Sequence, residues 1–178
     1  MPRQRKKLLI VDGYNVLRSG SRYRGISDPD YTDDWFNTAR DALVNDVVNF
    51  SGGGWSAIVV FDGGGNEHSA GEAQEVGGVR IVFSPAGQSA DKVIEKLAHD
   101  ARERQVETLV VSSDATIQDT VFGGGVDRMS ADGFCRELGM YYEEARLDDA
   151  PKASRKNTVA ERIPAETLAK LRALRDGR

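Results

Sequence analysis

Residues 8–11 are four consecutive apolar side chains, and the polar sequence DGYN follows directly at residues 12–15. A short apolar run without polar interruption is typical of a strand that is buried on both faces of a parallel sheet. Open α/β sheets place their ligand sites beyond the carboxyl ends of such strands. Asp12 is therefore the first candidate functional residue, and further candidates are expected at the same edge of the sheet.

The opening pattern, a buried strand ending in an acid, occurs twice more along the chain. Residues 57–61 read AIVVF and precede Asp62, and residues 108–113 read TLVVSS and precede Asp114. Because the carboxyl ends of parallel strands share one edge, the three carboxylates will lie in one cleft if their strands are neighbours.

The remaining pattern is an alternation of strands and helices, which predicts an α/β fold with three α/β/α layers and a central, mainly parallel sheet. Helical spacing of apolar residues, strand-like runs and polar or glycine-rich loops follow one another along the chain. Further strands are predicted at residues 79–84 and 126–129, helices at 34–50, 89–105, 115–122 and 130–139, and loops at 18–33 and 63–78.

A fourth carboxylate, Asp91, is expected in the first turn of a helix that Ser89 caps. At about 100° per residue it lies roughly 85° from the centre of the apolar stripe, at the border between sheet and solvent. From there it could lean over the strand ends. Asp119, in the short helix after Asp114, is a weaker fifth candidate.

Several carboxylates in one pocket repel one another, so they demand protons or a cation. All-oxygen ligation suits Mg²⁺ or Mn²⁺, which can activate water and assist an in-line phosphoryl displacement. A carboxylate could also orient the water as a general base. Each acid has a structural alternative as well, since aspartate often begins a turn after a strand and the helix dipole favours Asp91.

Three other side chains near the predicted site have two interpretations each. Asn15 either caps a helix or lies beside the acids. Tyr14 either packs in the core or stacks on a base. Arg40, roughly 50° from the centre of its helix's apolar stripe, either forms a salt bridge with one of the acids or contacts a substrate phosphate.

Charge is unevenly distributed: the net charge is −4, while residues 1–7 carry +4 and residues 151–178 carry +5, which leaves −13 for the segment between them. This distribution suits an acidic central segment that binds cations. The basic ends either contact phosphate or only aid solubility. No apolar run could span a membrane. The single cysteine, Cys135, excludes an internal disulfide, and we expect a cytoplasmic protein.

At residues 11–15 the sequence resembles the NYN-domain proteins, which are relatives of the PIN nucleases, and the likeness is strongest to the YacP-like branch of small bacterial ribonucleases. The likeness runs in the same order over about residues 7–140. It continues through the segments at residues 39–40, 60–62, 89–91, 111–114 and 128–131.

The resemblance implies a PIN-like sheet and an Mg²⁺-dependent (or Mn²⁺-dependent) endoribonuclease site that acts on RNA. It makes Asp12, Asp62, Asp91 and Asp114 the catalytic and metal-holding set, with Asn15 beside them. A further implication of the resemblance is action on mRNA at the ribosome, as in some members of this branch. One departure is the glycine triplet at residues 63–65, where a small residue and then often histidine would follow Asp62.

The interpretation from sequence is thus a metal-dependent endoribonuclease, with a nuclease domain at residues 1–145 and a basic tail with a short helix at residues 146–178. The alternative is a non-catalytic RNA- or ribosome-binding module with the same fold. A small-molecule phosphatase has less support, because no second acid closely follows Asp12.

Overall fold

The computed structural model of this chain describes residues 6–24, 26, 33–63 and 73–149, and the side chains of residues 33–36 are not described. Strands and helices alternate along these residues, as the sequence pattern predicts. The strands are β1 (Lys7–Asp12), β2 (Trp55–Phe61), β3 (Ala73–Val76), β4 (Val79–Phe83), β5 (Thr108–Val111) and β6 (Val126–Met129). The helices are α1 (Gly13–Ser19), α2 (Ser21–Arg24), α3 (Asp33–Ser51), α4 (Ala90–Glu103), α5 (Ala115–Val121) and α6 (Ala131–Asp149).

These strands form one sheet in the order β3-β4-β2-β1-β5-β6. Strand β1 lies in the interior of the sheet and pairs in parallel with β2 on one side and with β5 on the other. Only β3 is antiparallel among the described strands, and it pairs with β4 at the edge. The predicted α/β fold with a mainly parallel sheet is therefore confirmed, and the three strands that lead to Asp12, Asp62 and Asp114 are direct neighbours.

Strand β1 is buried on both faces because helices cover each side of the sheet. Leu9 and Val11 belong to a core cluster that includes residues of α1, α2, α3 and α6. Ile10 points the other way, into a second cluster that includes residues of α4 and α5. Since strand side chains alternate between faces, an uninterrupted apolar run is what this two-sided burial requires.

Two helices start where capping residues predict, and both starts matter for the site. The Ser89 hydroxyl accepts a hydrogen bond from the Lys92 backbone N–H and caps α4. Asp114 caps α5, because its Oδ1 accepts the backbone N–H groups of Thr116 at 2.8 Å and Ile117 at 3.2 Å. A side-chain oxygen at this position satisfies N–H groups that have no partner inside the helix.

The prediction of a loop at residues 18–33 is wrong for the first part of this segment. Helix α1 continues to Ser19, and α2 covers Ser21–Arg24. These helices are too short to show a helical period. Tertiary contacts hold α2 in place instead: the Tyr23 side chain is buried, and its hydroxyl donates a 2.7 Å hydrogen bond to Asp46.

The predicted loop at residues 63–78 is also wrong at its end, where the edge strand β3 forms. All four residues of β3 are exposed, so no apolar alternation announces the strand. The signal was the glycine pair at the turn to β4: Gly77 and Gly78 have φ angles of 56° and 83°. Positive φ at both central residues is what a two-residue hairpin turn requires.

Helix α6 does not end at Gly139, as predicted, but continues to Asp149. Gly139 is exposed, and a side chain there would meet nothing within 4 Å. The free-energy cost of one glycine inside a helix, about 1 kcal/mol relative to alanine, does not end α6. The chain divides into two compact units, Met1–Tyr142 and Glu143–Arg178. The predicted short helix after Pro164 and the basic residues of 151–178 lie outside the described residues.

Of the helices that the structure describes, none is long and apolar enough to cross a membrane.

Candidate active site

Four acidic side chains from four different parts of the chain border one cavity of about 210 Å³. Asp12 is the last residue of β1, and Asp62 follows directly after β2. Asp114 lies three residues beyond β5, and Asp91 is in the first turn of α4. The cavity, called the acidic cavity below, is lined by Asp12, Tyr14, Asn15, Arg18, Ser19, Asp62, Ala90, Asp91 and Asp114.

Asp12 is the most buried of the four acids, with 6% of its surface exposed. Its Oδ2 accepts a 2.9 Å hydrogen bond from the Ser112 hydroxyl. Burial raises the pKa of Asp12 from 3.8 to about 6, and the negative charges of Asp91 and Asp114 add to the rise, while the Ser112 hydrogen bond opposes it. Desolvation and like charges both disfavour a carboxylate, so this site is short of positive charge.

Ser112 joins Asp12 to the loop that carries Asp114, and it was not singled out from the sequence. Its Oγ donates to Asp12 and accepts the Asp114 backbone N–H at 3.1 Å. Its carbonyl oxygen accepts the Gln118 side-chain amide at 2.6 Å. No sequence signal marks Ser112, because its burial is visible only in the structure, where its hydroxyl finds the partners that a buried hydroxyl requires.

Asp62 and Asp91 also line the acidic cavity. The Ser84 hydroxyl donates to Asp62 Oδ1 at 3.3 Å and accepts the Gly63 backbone N–H at 2.9 Å. Gly63, the first glycine of the triplet, thus helps to fix the residue before it; Gly64 and Gly65 lie outside the described residues. Burial raises the pKa of Asp91, and the negative charges of Asp114 and Asp62 raise it further.

Helix α1 builds the cavity's remaining wall from the sequence that follows Asp12. A side chain at Gly13 would overlap the Phe61 ring, so only glycine allows this close approach. The Tyr14 ring packs on Phe61 with centroids 5.1 Å apart. The Asn15 side-chain oxygen accepts the Ser113 backbone N–H at 2.7 Å and joins α1 to the loop after β5.

Arg18 also lines the acidic cavity, with its guanidinium 6.0 Å from the centre of the Tyr14 ring. Arg18 was not predicted as a site residue, because residues 18–33 were predicted as a loop. Had α1 been recognised, the spacing of three and four residues from Asn15 and Tyr14 would have placed Arg18 on their face of the helix. It is an exposed cation at an acidic cavity.

Arg40 does not line the acidic cavity. Its guanidinium lies 5.8 Å from the centre of the Phe83 ring, and no ion pair joins it to an acid among the residues that the structure describes. It is nonetheless near the site, since its positive charge lowers the pKa of Tyr14, which burial raises more strongly.

Asp119 is 81% exposed and pairs with Arg128 at 3.1 Å, away from the cavity.

The donor set fits a hard divalent cation in its chemistry. Four aspartates and Asn15 line one cavity, and Asp12, Asp91 and Asp114 have no ion pair in the described part of the chain. Across residues 6–24, 26, 33–63 and 73–149, no three His, Cys, Asp or Glu side chains are already gathered around one point as metal ligands. The fit therefore rests on the shared cavity and the raised pKa values; Mg²⁺ keeps several of its waters in such sites.

Comparison with known proteins gives one consistent result. Residues 9–176 match the family model of the YacP-like NYN domain. The protein YacP of Bacillus subtilis (strain 168) is 33% identical over 135 residues, which cover 74% of this chain and 74% of YacP.

Solved structures agree with the sequence match. A crystal structure of Rae1 (YacP) from Bacillus subtilis has a TM-score of 0.60 at 28% identity and covers 96% of this chain and 95% of that one. A crystal structure of a single-residue mutant of Rae1 has a TM-score of 0.64 at 26% identity, with 94% and 99% covered. The chain therefore belongs to the YacP-like NYN domain family, whose domains have a nuclease-type fold.

Proposed function

We propose that this protein is a metal-dependent endoribonuclease that hydrolyses RNA phosphodiester bonds at the acidic cavity. The observation that carries the proposal is the arrangement of the four aspartates, which come from distant parts of the chain and border one cavity of about 210 Å³. Membership in the YacP-like NYN domain family, a nuclease-type family, supports the same class of activity.

Asp12, Asp62, Asp91 and Asp114 are the residues that would hold Mg²⁺ or Mn²⁺. When bound, the cation supplies a water of lowered pKa and stabilises negative charge on the phosphoryl oxygens. The raised pKa of Asp12 supports this role, because a carboxylate that is costly to ionise alone becomes favourable to ionise beside a dication.

The protein's own side chains have three further tasks in this proposal. A carboxylate of the set accepts the proton of the attacking water. Ser112 holds Asp12 and the Asp114 backbone in fixed relation by its two hydrogen bonds. Arg18 and Arg40, whose charges both act on Tyr14, contact the phosphates on either side of the scissile one.

The substrate in this proposal is single-stranded RNA, with Tyr14 as a surface on which a base can stack. We extend the proposal to mRNA on the ribosome because the sequence resembles the YacP-like branch. The basic segment of residues 146–178 is proposed as a tail outside the nuclease domain of residues 1–145, and it contacts the RNA backbone. Deleting residues 151–178 should then reduce the salt dependence of RNA binding; an unchanged salt slope would remove this role.

The direct test is cleavage of labelled single-stranded RNA by the purified protein with Mn²⁺ or Mg²⁺ and with EDTA. The wild type is expected to cut only with metal, and Asp12→Asn and Asp114→Asn are expected to be inactive while remaining folded. Asp119→Asn is the matched control, because this exposed aspartate lies outside the acidic cavity, and it should cut like the wild type.

Full activity of Asp12→Asn or Asp114→Asn, or cleavage in EDTA, would contradict the proposal. If the wild type bound RNA without metal-dependent cleavage, the non-catalytic RNA-binding module would be the better description.

A further inference from the structure

A second cavity, of about 370 Å³, lies between α3 and the β3–β4 edge of the sheet. Its volume falls within the range of small-ligand pockets, roughly 300–1,000 Å³. It has an apolar base and a polar rim, and it is called the α3–β4 groove below. Its lining residues are Arg40, Asp41, Val44, Asn45, Gln74, Val76, Ile81 and Phe83.

The groove is adjacent to the acidic cavity. Phe83 pairs in register with Phe61, the residue before Asp62, and the two rings stack with centroids 5.6 Å apart. Neighbouring strands are about 5 Å apart, so the groove begins about one to two strand spacings from Asp62. One nucleotide of an extended RNA chain can bridge this distance.

Arg40 and Tyr14 stand where the two cavities approach each other. Arg40 lines the groove and lies over the Phe83 ring, while Tyr14 lines the acidic cavity and packs on Phe61. The positive charge of Arg40 acts on the Tyr14 hydroxyl. A phosphate between the two cavities would therefore meet a cation and an aromatic ring.

The chemistry of the groove favours a neutral, flat group with hydrogen-bonding edges. Arg40 and Asp41 carry opposite charges, so the lining has no net charge to attract an anion as a whole. The side-chain amides of Asn45 and Gln74 are exposed, and in the described part of the chain neither bonds to protein. Amides pair with the edges of nucleobases, and Ile81 and Phe83 provide an apolar surface for the ring.

We propose that the α3–β4 groove binds the base of the nucleotide next to the scissile phosphate, and that Asn45 and Gln74 select that base. This inference rests on the proposed endoribonuclease function and adds a specificity site to it. An unpaired base is required, because the hydrogen-bonding edges of a base are free only in single-stranded RNA. The groove thus gives the enzyme a preference at one position beside the cut.

The test compares the wild type with the double variant Asn45→Ala/Gln74→Ala on a randomised single-stranded RNA with Mn²⁺, and sequences the cleaved ends. Glu75→Ala is the matched control, because Glu75 lies on the same strand, and adjacent strand residues point to opposite faces. Val76→Trp, which fills the groove with a side chain that strands tolerate, is a second variant that removes the site differently.

The wild type and Glu75→Ala should share a base preference at one position flanking the cut, and the double variant should reduce it by at least about fivefold. Val76→Trp should reduce it as well. An unchanged base profile in the folded double variant, or no preference in the wild type, would overturn the inference while leaving the nuclease function intact.

A second measurement separates this inference from the proposed function. Binding of a set of fluorescent tetranucleotides, each of one defined sequence, is measured by anisotropy in EDTA, where no metal-dependent cleavage occurs. The double variant should bind the tetranucleotide that the wild type prefers at least about fivefold more weakly than Glu75→Ala does. Equal binding by the two variants would refute the groove as a base-binding site. Weaker binding by the double variant, together with a wild type that never cuts RNA, would refute only the nuclease proposal.

Discussion

Replacing Asp12 by asparagine should stabilise the metal-free protein, although it should abolish activity. Asp12 is 6% exposed, and its pKa is raised from 3.8 to about 6. Each unit of pKa difference between folded and unfolded states corresponds to about 1.36 kcal/mol, so ionised Asp12 costs up to about 3 kcal/mol of folding free energy. Asparagine is nearly isosteric, and its carbonyl oxygen can still accept the Ser112 hydrogen bond.

The gain should depend on pH in a defined way. The folded protein binds the Asp12 proton more tightly than the unfolded chain does. The wild type therefore has the full contribution of the protonated group below pH 3.8 and loses it as the pH rises through about 6. The difference in stability between Asp12→Asn and the wild type should be small near pH 4 and reach its plateau above pH 7.

Urea unfolding in EDTA, followed by circular dichroism at several pH values, measures this difference. Asp119→Asn is the control, and its stability should stay within about 0.5 kcal/mol of the wild type because Asp119 is exposed. An Asp12→Asn variant that is less stable than the wild type at pH 8, or a difference that does not change with pH, would refute the reasoning.

Two further substitutions test the packing of α1 and α2. Gly13→Ala should cost about 1–3 kcal/mol in urea unfolding, because the new methyl group overlaps the buried Phe61 ring; an unchanged midpoint would show that α1 can shift at no cost. Asp46→Ala should cost about 2–4 kcal/mol in the same assay, because it leaves the buried Tyr23 hydroxyl and the Arg22 guanidinium without their shared acceptor. A loss below about 0.5 kcal/mol would mean that water replaces the carboxylate.

The parallel strands and the shared position of Asp12, Asp62 and Asp114 could be predicted because both follow from local patterns. An uninterrupted apolar run, such as residues 8–11, has few alternatives to a buried parallel strand. The carboxyl ends of parallel strands share one edge, so the positions of Asp12, Asp62 and Asp114 follow once β2, β1 and β5 are neighbours.

The elements that were not predicted are held by tertiary contacts and not by a pattern of their own. Helix α2 depends on the buried Tyr23 and its bond to Asp46, which lies in α3. Strand β3 is fully exposed and depends on its pairing with β4. Neither kind of contact leaves a period in the sequence.

The site residues that were missed have the same origin. Arg18 reaches the acidic cavity only because α1 is a helix, and Gln74 reaches the α3–β4 groove only because β3 is a strand. Ser112 required knowledge that its hydroxyl is buried between Asp12 and Asp114. Arg40 had two interpretations from sequence, and the structure places it at the groove, over Phe83.

The most direct test of the account is a Mn²⁺ titration of the purified protein, followed by electron paramagnetic resonance of the free ion. We expect the wild type to bind Mn²⁺ saturably and Asp119→Asn to bind it equally well. The affinity should be at least about tenfold lower in each of the four cavity variants, Asp12→Asn, Asp62→Asn, Asp91→Asn and Asp114→Asn. No binding by the wild type, or binding that none of the four substitutions weakens, would contradict the claim that these carboxylates form one metal site.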